Sequence, residues 1–370
     1  MAEQDAHYTS LTGGHTVFRS ELGEVTRVTA DDLPILDGLS IKRLVLSPNA
    51  LRAPHWHANC AELAYCVAGR ALVTILGNDS AFSVFEVTAG QMFFVESGAL
   101  HAIDNVGETA AEFIIAFRHE RPEDFMLQGA FGAMSDAVLG NAYSLPASAF
   151  AGMPRTTEGA YIVRRAGPAE IPADARRANP HRFDVEAESA PIDVGYGQAR
   201  LAGSQFGPAL KDIAMYPLRV TPDGRREPHW HPGTAEMGYV LAGHARMTLL
   251  SPGGKVDTWE LAPGDVYFIP PAYPHHIEVL DGDEIRFLIF FDQDAPGDIG
   301  YRASASAFGP GVLAAALGLP PDRLPAFPDT PEDPLIVRRM NPRGHFDRAG
   351  PNQERREWRR ARRGDADEGA

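Results

Sequence analysis

The chain has 370 residues, with 34 Lys+Arg against 49 Asp+Glu, a formal charge of −15 and two cysteines. That length suits two domains of ordinary size, and the acidic balance argues against nucleic acid as a partner, because duplex binding needs a basic footprint. Two cysteines supply neither a disulfide framework nor a thiolate zinc site, and no apolar run reaches the ~20 residues of a membrane span, so no membrane partner is expected.

From the N-terminus, Met1 to Leu11 is polar and lacks a basic-then-apolar leader, which points to an unsecreted, cytoplasmic protein. Short β-branched and aromatic runs follow at 71–75, 92–95 and 112–117, and again at 246–250, 266–269 and 285–291, separated by Gly, Pro, Asn and Asp. Many short strands at close spacing predict an all-β sandwich or barrel. Helical patterning is confined to roughly 123–140 and 303–317, each ahead of a Pro-rich stretch. The reading is a first domain over 15–155, a linker over 156–183, a second domain over 184–339 and an Arg-rich tail over 340–370. That tail reads as a solvated end or an intersubunit contact. Among the basic residues only Lys42, Lys211 and Lys255 are lysine, a skew read as codon usage without functional weight.

The chain repeats itself at a fixed offset of 174 residues. Pro54-His55-Trp56-His57 recurs as Pro228-His229-Trp230-His231, and the same offset carries Arg52 to Arg226, Glu62 to Glu236, Gly69 to Gly243 and His101 to His275. Composition does not produce such a match, whereas duplication of one unit does.

Each unit gathers metal-type ligands. His55 and His57 are two apart, so on a strand both imidazoles face the same way. Glu62 follows His57 by an odd number of residues, so the chain must turn between them; Asn59 in one unit and Pro232-Gly233 in the other supply the turn and bring Glu62 and Glu236 back on a neighbouring strand. His101 and His275 arrive about forty residues later, behind Gly98 and Pro274. Three imidazoles and a carboxylate suit an octahedral first-row ion, Mn²⁺ or Fe²⁺, with two positions left for water, dioxygen or a chelating substrate. Structural zinc, closed by four ligands and often by thiolates, fits less well. Cys60 and Cys66 flank Glu62 and read as small interior residues.

These motifs resemble the cupin superfamily: His-x-His, four residues, Glu, six residues, Gly, then a second Gly-led motif ending in His. Two such units, each with His-Trp-His, behind Gly-Glu-Val-Thr-Arg-Val-Thr-Ala-Asp-Asp-Leu-Pro at 23–34, are similar to the bicupin oxalate decarboxylases over roughly residues 15 to 339. The resemblance implies two tandem jelly-roll β-barrels, each followed by short helical elements. It also implies Mn²⁺ at two sites per chain, dioxygen as co-catalyst, a homo-oligomer (trimer or hexamer), and cleavage of oxalate or a similar small carboxylate to formate and CO₂. The ligands carried over are His55, His57, Glu62 and His101, then His229, His231, Glu236 and His275. Arg52 and Arg226 match the family arginine that faces bound substrate.

The chain departs from that family in places. The family's general acid is a glutamate in a Ser-Glu-Asn-Ser-Thr lid, and no such pentapeptide exists here; after Phe117 the chain reads Arg-His-Glu-Arg-Pro-Glu-Asp and is about three residues shorter. Glu123 is the first candidate for the acid, with Glu120, Asp124 and His119 open. The second unit has no Glu or Tyr over 292–298 and no acid on the strand over 287–291, so the first site is expected to be catalytic and the second to hold metal and structure. Asn49 and Glu96 stand where the family's first unit usually has Gly and Pro. A Mn-dependent lyase is the leading reading, with an oxalate oxidase or other cupin dioxygenase, and a non-catalytic metal-binding bicupin, as alternatives.

Overall fold

The computed structural model describes residues 6–187, 189–204, 210–280 and 284–341, and the arginine-rich tail from 342 onward lies outside them. The described residues divide into two compact units, one running to Ser189 with Ala202–Ala214, the other comprising Ala190–Leu201 and the chain from Met215.

Ten strands form the central part of the first unit's sheets: β1 (Gly23–Val28), β2 (Ser40–Leu46), β3 (Ala50–His57), β4 (Glu62–Ala68), β5 (Arg70–Leu76), β6 (Phe82–Thr88), β7 (Met92–Val95), β8 (Leu100–Asn105), β9 (Ala111–Phe117) and β10 (Asp124–Met126). They form two antiparallel sheets, ordered β7-β4-β9-β2-β1 and β10-β3-β8-β5-β6. Inward-facing residues of both sheets interdigitate in one core, with Phe93 edge-on to Phe85 and to Phe113 at centroid separations of 6.1 Å. Burying such rings contributes roughly 1.5–3 kcal/mol each and holds the sheets together. At the β4–β5 turn Gly69 has φ +81°, and a Cβ there would meet the Ala110 carbonyl oxygen at 2.5 Å, so only glycine fits. Asn49 adopts φ +64°, the left-handed turn conformation that glycine or asparagine takes most readily.

The second unit repeats the plan with β11 (Ala214–Val220), β12 (Gly224–Trp230), β13 (Glu236–Ala242), β14 (Ala245–Leu250), β15 (Val256–Leu261), β16 (Asp265–Ile269), β17 (His275–Val279) and β18 (Ile285–Phe291). Its sheets run β16-β13-β18-β11 and β15-β14-β17-β12, the same order as their counterparts. Two short helices follow each set, α1 (Leu127–Gly132) and α2 (Asp136–Tyr143), then α3 (Tyr301–Ser306) and α4 (Pro310–Leu317). The expected helical start at 123 is corrected: Asp124–Met126 is a strand paired with His55–His57, and interstrand hydrogen bonding overrides local pattern there. Within the segment expected as linker, Ile162–Arg164 pairs with β3 and Arg182–Phe183 with β7. No helix among the described residues is long and apolar enough to cross a membrane.

Candidate metal centres

Both ligand sets predicted from the sequence assemble inside their units. The ligand atoms of His55, His57, Glu62 and His101 lie within 4.8 Å of one another, as do those of His229, His231, Glu236 and His275, and all eight residues are buried. The histidines come from one sheet, where His101 is paired across from His55 and His275 from His229. Glu62 and Glu236 come from the facing sheet. The expectation of a neighbouring strand is thereby corrected, because the chain passes from one sheet to the facing one between His57 and Glu62 and the donors converge from both walls.

A β-bulge sets which side chains face inward. Three residues separate Arg52 from His55, which in a regular strand places them on opposite faces. The β3–β8 ladder slips by one residue between the pairs His101–His55 and Ile103–Arg52, and β12–β17 slips at the same point. Pro54 and Pro228, which lack an N–H for the ladder, sit at these slips. Arg52 and Arg226 thus turn to the inner face beside the histidines, where both are buried.

Hydrogen bonds aim the imidazoles. His55 Nδ1 donates to the Ala53 carbonyl (2.8 Å), His101 Nδ1 to Ala99 (2.9 Å), His229 Nδ1 to Glu227 (2.7 Å) and His275 Nδ1 to Tyr273 (2.9 Å). A carbonyl only accepts, so Nδ1 carries the proton and each Nε2 lone pair points to the centre. Burial, reinforced by the nearby arginine, holds the His55 and His229 pKa values well below the usual range and keeps both rings neutral, as a metal ligand must be. Burial alone would raise Glu62 and Glu236, but their histidines hold both carboxyls well below the usual range and ionised. His101, His229 and His275 Nε2 and Glu62 Oε1 are buried without a hydrogen-bond partner. Each centre thus holds two orphaned atoms, His101 Nε2 and Glu62 Oε1 in the first and His229 and His275 Nε2 in the second, and a divalent cation at each centre would satisfy its pair.

The remaining imidazole of the first set, His57, identifies a residue that spacing alone did not single out. His57 Nδ1 bonds Asp124 Oδ1 at 2.8 Å, while Asp124 Oδ2 accepts from Arg52 at 2.8 Å. The Lys42 ammonium lies 3.6 Å from the same oxygen and 4.5 Å above the Phe117 ring. Burial would raise the Asp124 carboxyl, but Lys42, His57 and Arg52 hold it far below the usual range. In the second unit Asp298 Oδ1 lies 2.8 Å from His231 Nδ1 and its other oxygen accepts from Arg226. There Asp298 and Glu236, against the opposing effect of burial, raise the His231 pKa to about 9. Asp298 stands 174 residues after Asp124, so the repeat already contained this signal; Glu123 has Gly297 as its counterpart. Glu123 itself is exposed, with its main chain pinned to the loop after His57 through Ala58 and Asn59.

The centres also differ. Tyr267 donates to Glu236 Oε1, whereas the first unit has Phe93 at the equivalent position and Glu62 Oε1 stays unbonded. Cys60 and Cys66 are free, buried thiols, in keeping with an interior role.

Comparison with known proteins agrees with this geometry. The cupin family model matches residues 9–149 and 193–323. The chain is 29% identical over 285 residues to oxalate decarboxylase OxdC of Bacillus subtilis, spanning 75% of this chain and 73% of that one. It is 25% identical over 309 residues to a probable oxalate decarboxylase of Arthroderma benhamiae, spanning 80% and 75%. A solved structure from work on the Mn(II) centres of the B. subtilis decarboxylase superposes with a TM-score of 0.80 at 26% identity, covering 90% of this chain and 89% of that one. The chain therefore belongs to the cupin family, as a two-domain member similar to the oxalate decarboxylases.

Proposed function

We propose that the protein is a Mn-dependent carboxy-lyase that splits oxalate, or a similar small carboxylate, into formate and CO₂ at the first centre. The observation that carries this reading is a complete three-histidine, one-glutamate donor set, backed by a buried arginine, in a chain similar over about three quarters of its length to an oxalate decarboxylase. Bound at such a centre, Mn²⁺ supplies Lewis acidity to a substrate oxygen and, with dioxygen as co-catalyst, a route for one-electron chemistry.

The protein's own groups carry the rest. Glu62 and the three Nε2 atoms hold the ion, and Asp124 fixes the His57 tautomer by accepting its Nδ1 proton. Arg52 pairs with a substrate carboxylate and stabilises charge as it develops. Completion of formate needs a proton delivered to carbon. Asp124 is held ionised and is unsuited to donate it, so the proposed general acid is Glu123, its exposed neighbour on the segment that replaces the family's lid. The second donor set binds metal and supports the fold, with Arg226 paired to Asp298 beside it. Location in the cytoplasm and assembly as a homo-oligomer, trimer or hexamer, belong to the same reading; light scattering checks the assembly.

The test is direct. Protein from Mn-supplemented cells is given oxalate at mildly acid pH under air, and formate, CO₂ and H₂O₂ are quantified. Formate with equimolar CO₂ is expected. Peroxide in place of formate identifies an oxidase, the alternative that the absent Ser-Glu-Asn-Ser-Thr lid favours, and no turnover by protein holding two metals per chain sinks both.

A further inference from the structure

Asp124 and Asp298 hold equivalent places but are not equally paired. Asp124 Oδ2 faces two cations, Arg52 at 2.8 Å and Lys42 at 3.6 Å. Among the described residues Asp298 faces a single arginine or lysine, Arg226. The position equivalent to Lys42 is Tyr216, whose ring packs edge-on against Phe291 just as the Lys42 ammonium caps Phe117. Burial keeps the Tyr216 phenol neutral, its pKa raised to about 12, so it brings no charge to Asp298.

Burial gives this difference its consequence. The side chains of Arg52, Lys42 and Asp124 are 2%, 6% and 11% exposed. Besides Asp124, Arg52 bonds the Tyr161 carbonyl at 3.2 Å and lies over the Tyr161 ring at 4.7 Å. A carboxylate arriving at the centre competes with Asp124 for this guanidinium. Where a buried carboxylate has a single cation, that exchange strands an uncompensated charge and is strongly opposed. With a second cation in place the exchange costs little, because one ion pair replaces another.

We propose that Lys42 is a positioning residue that keeps Asp124 charge-paired, and so keeps it on His57, while Arg52 turns to an anionic substrate. The inference rests on the proposed action on oxalate. A cavity of about 130 Å³, lined by Lys42, Asp124, Phe117 and Tyr161 among others, gives the ammonium room to close on the carboxylate as Arg52 leaves. At the second centre, Arg226 stays on Asp298 and that centre does not take up the substrate. The asymmetry between the units then lies in one lysine as well as in the lid.

The test is calorimetric titration of oxalate, in the absence of air, into Mn-loaded wild type, Lys42→Met, Lys42→Arg and the double variant Lys42→Met/Asp124→Asn. Metal content is measured in parallel, and KM and kcat under air. One oxalate per chain is expected for the wild type. Lys42→Met should keep both metals yet bind oxalate about tenfold more weakly, with KM rising in step and kcat changing less than about threefold. Lys42→Arg should restore binding. The double variant should recover most of it, because an amide in place of Asp124 no longer needs a cation, and simple loss of packing at Lys42 would show no such recovery. Should Lys42→Met fail to fold, Lys42→Gln replaces it with the same expectations. Unchanged affinity in the fully metallated lysine variant overturns the proposal while leaving the substrate reading standing, and so does a loss that Asp124→Asn does not repair. A wild type that binds no oxalate overturns the substrate reading and this inference with it.

Discussion

The Tyr267 hydroxyl donates a 2.6 Å hydrogen bond to Glu236 Oε1 in the second centre, and Phe93 leaves the matching Glu62 Oε1 without one in the first. The bond orients the carboxylate before any ion arrives. Tyr267→Phe is expected to weaken metal retention at the second centre by about tenfold, the usual order for losing a partner of a ligand. Competition against a chelator, followed by metal analysis, should show one of two metals leaving earlier than in the wild type; unchanged retention of both sinks the assignment.

Asp124 ties His57, Arg52 and Lys42 together, whereas among the described residues Asp298 ties His231 and Arg226 and is more exposed, at 24% of its side chain against 11%. Asp124→Ala should therefore cost on the order of 3 kcal/mol of stability, with Asp298→Ala costing clearly less. Denaturant unfolding of metal-free protein measures both. Equal losses contradict the ion-pair account.

Removing the carboxylate donors should separate the two centres. Glu62→Ala is expected to abolish oxalate turnover, and Glu236→Ala to lower metal content and stability while leaving turnover at metallated first centres. Equal catalytic loss from both, with the other site fully loaded, contradicts assignment of the chemistry to the first unit.

Glu123→Gln tests the proposed proton donor. If Glu123 protonates the departing fragment, the variant should form formate at least about a hundredfold more slowly, with oxalate affinity unchanged. Retained formate production moves the role to Glu120 or His119.

Burial raises both thiols to about 12, with Glu62 adding to the effect at Cys60. In the unfolded chain a thiol ionises near ~8.5. The resulting stability is present below that pH and is lost as the pH rises through the folded pKa, because the unfolded state ionises first. Alkylation by iodoacetamide at pH 9 should accordingly be slow in the native protein and fast in urea. Rapid native labelling of either cysteine contradicts its burial.

The sequence by itself determined the duplication, the all-β architecture and the eight metal-site donors, because these are properties of spacing. An offset of 174 that conserves residue type, a His-x-His on a strand and a glycine at a left-handed turn survive any detail of packing. Tertiary structure decided what spacing could not encode. The bulge at Pro54 turns Arg52 inward against strand parity, the crossing after His57 puts Glu62 on the opposite sheet, and strand pairing at 124–126 replaces an expected helix. Lys42 shows the difference most plainly. As one of three lysines it reads as codon usage, and only the packing of the sheet that carries β2 against the sheet that carries β10 brings its charge to Asp124, because a buried ion pair is made by distance in space and leaves no period in the chain.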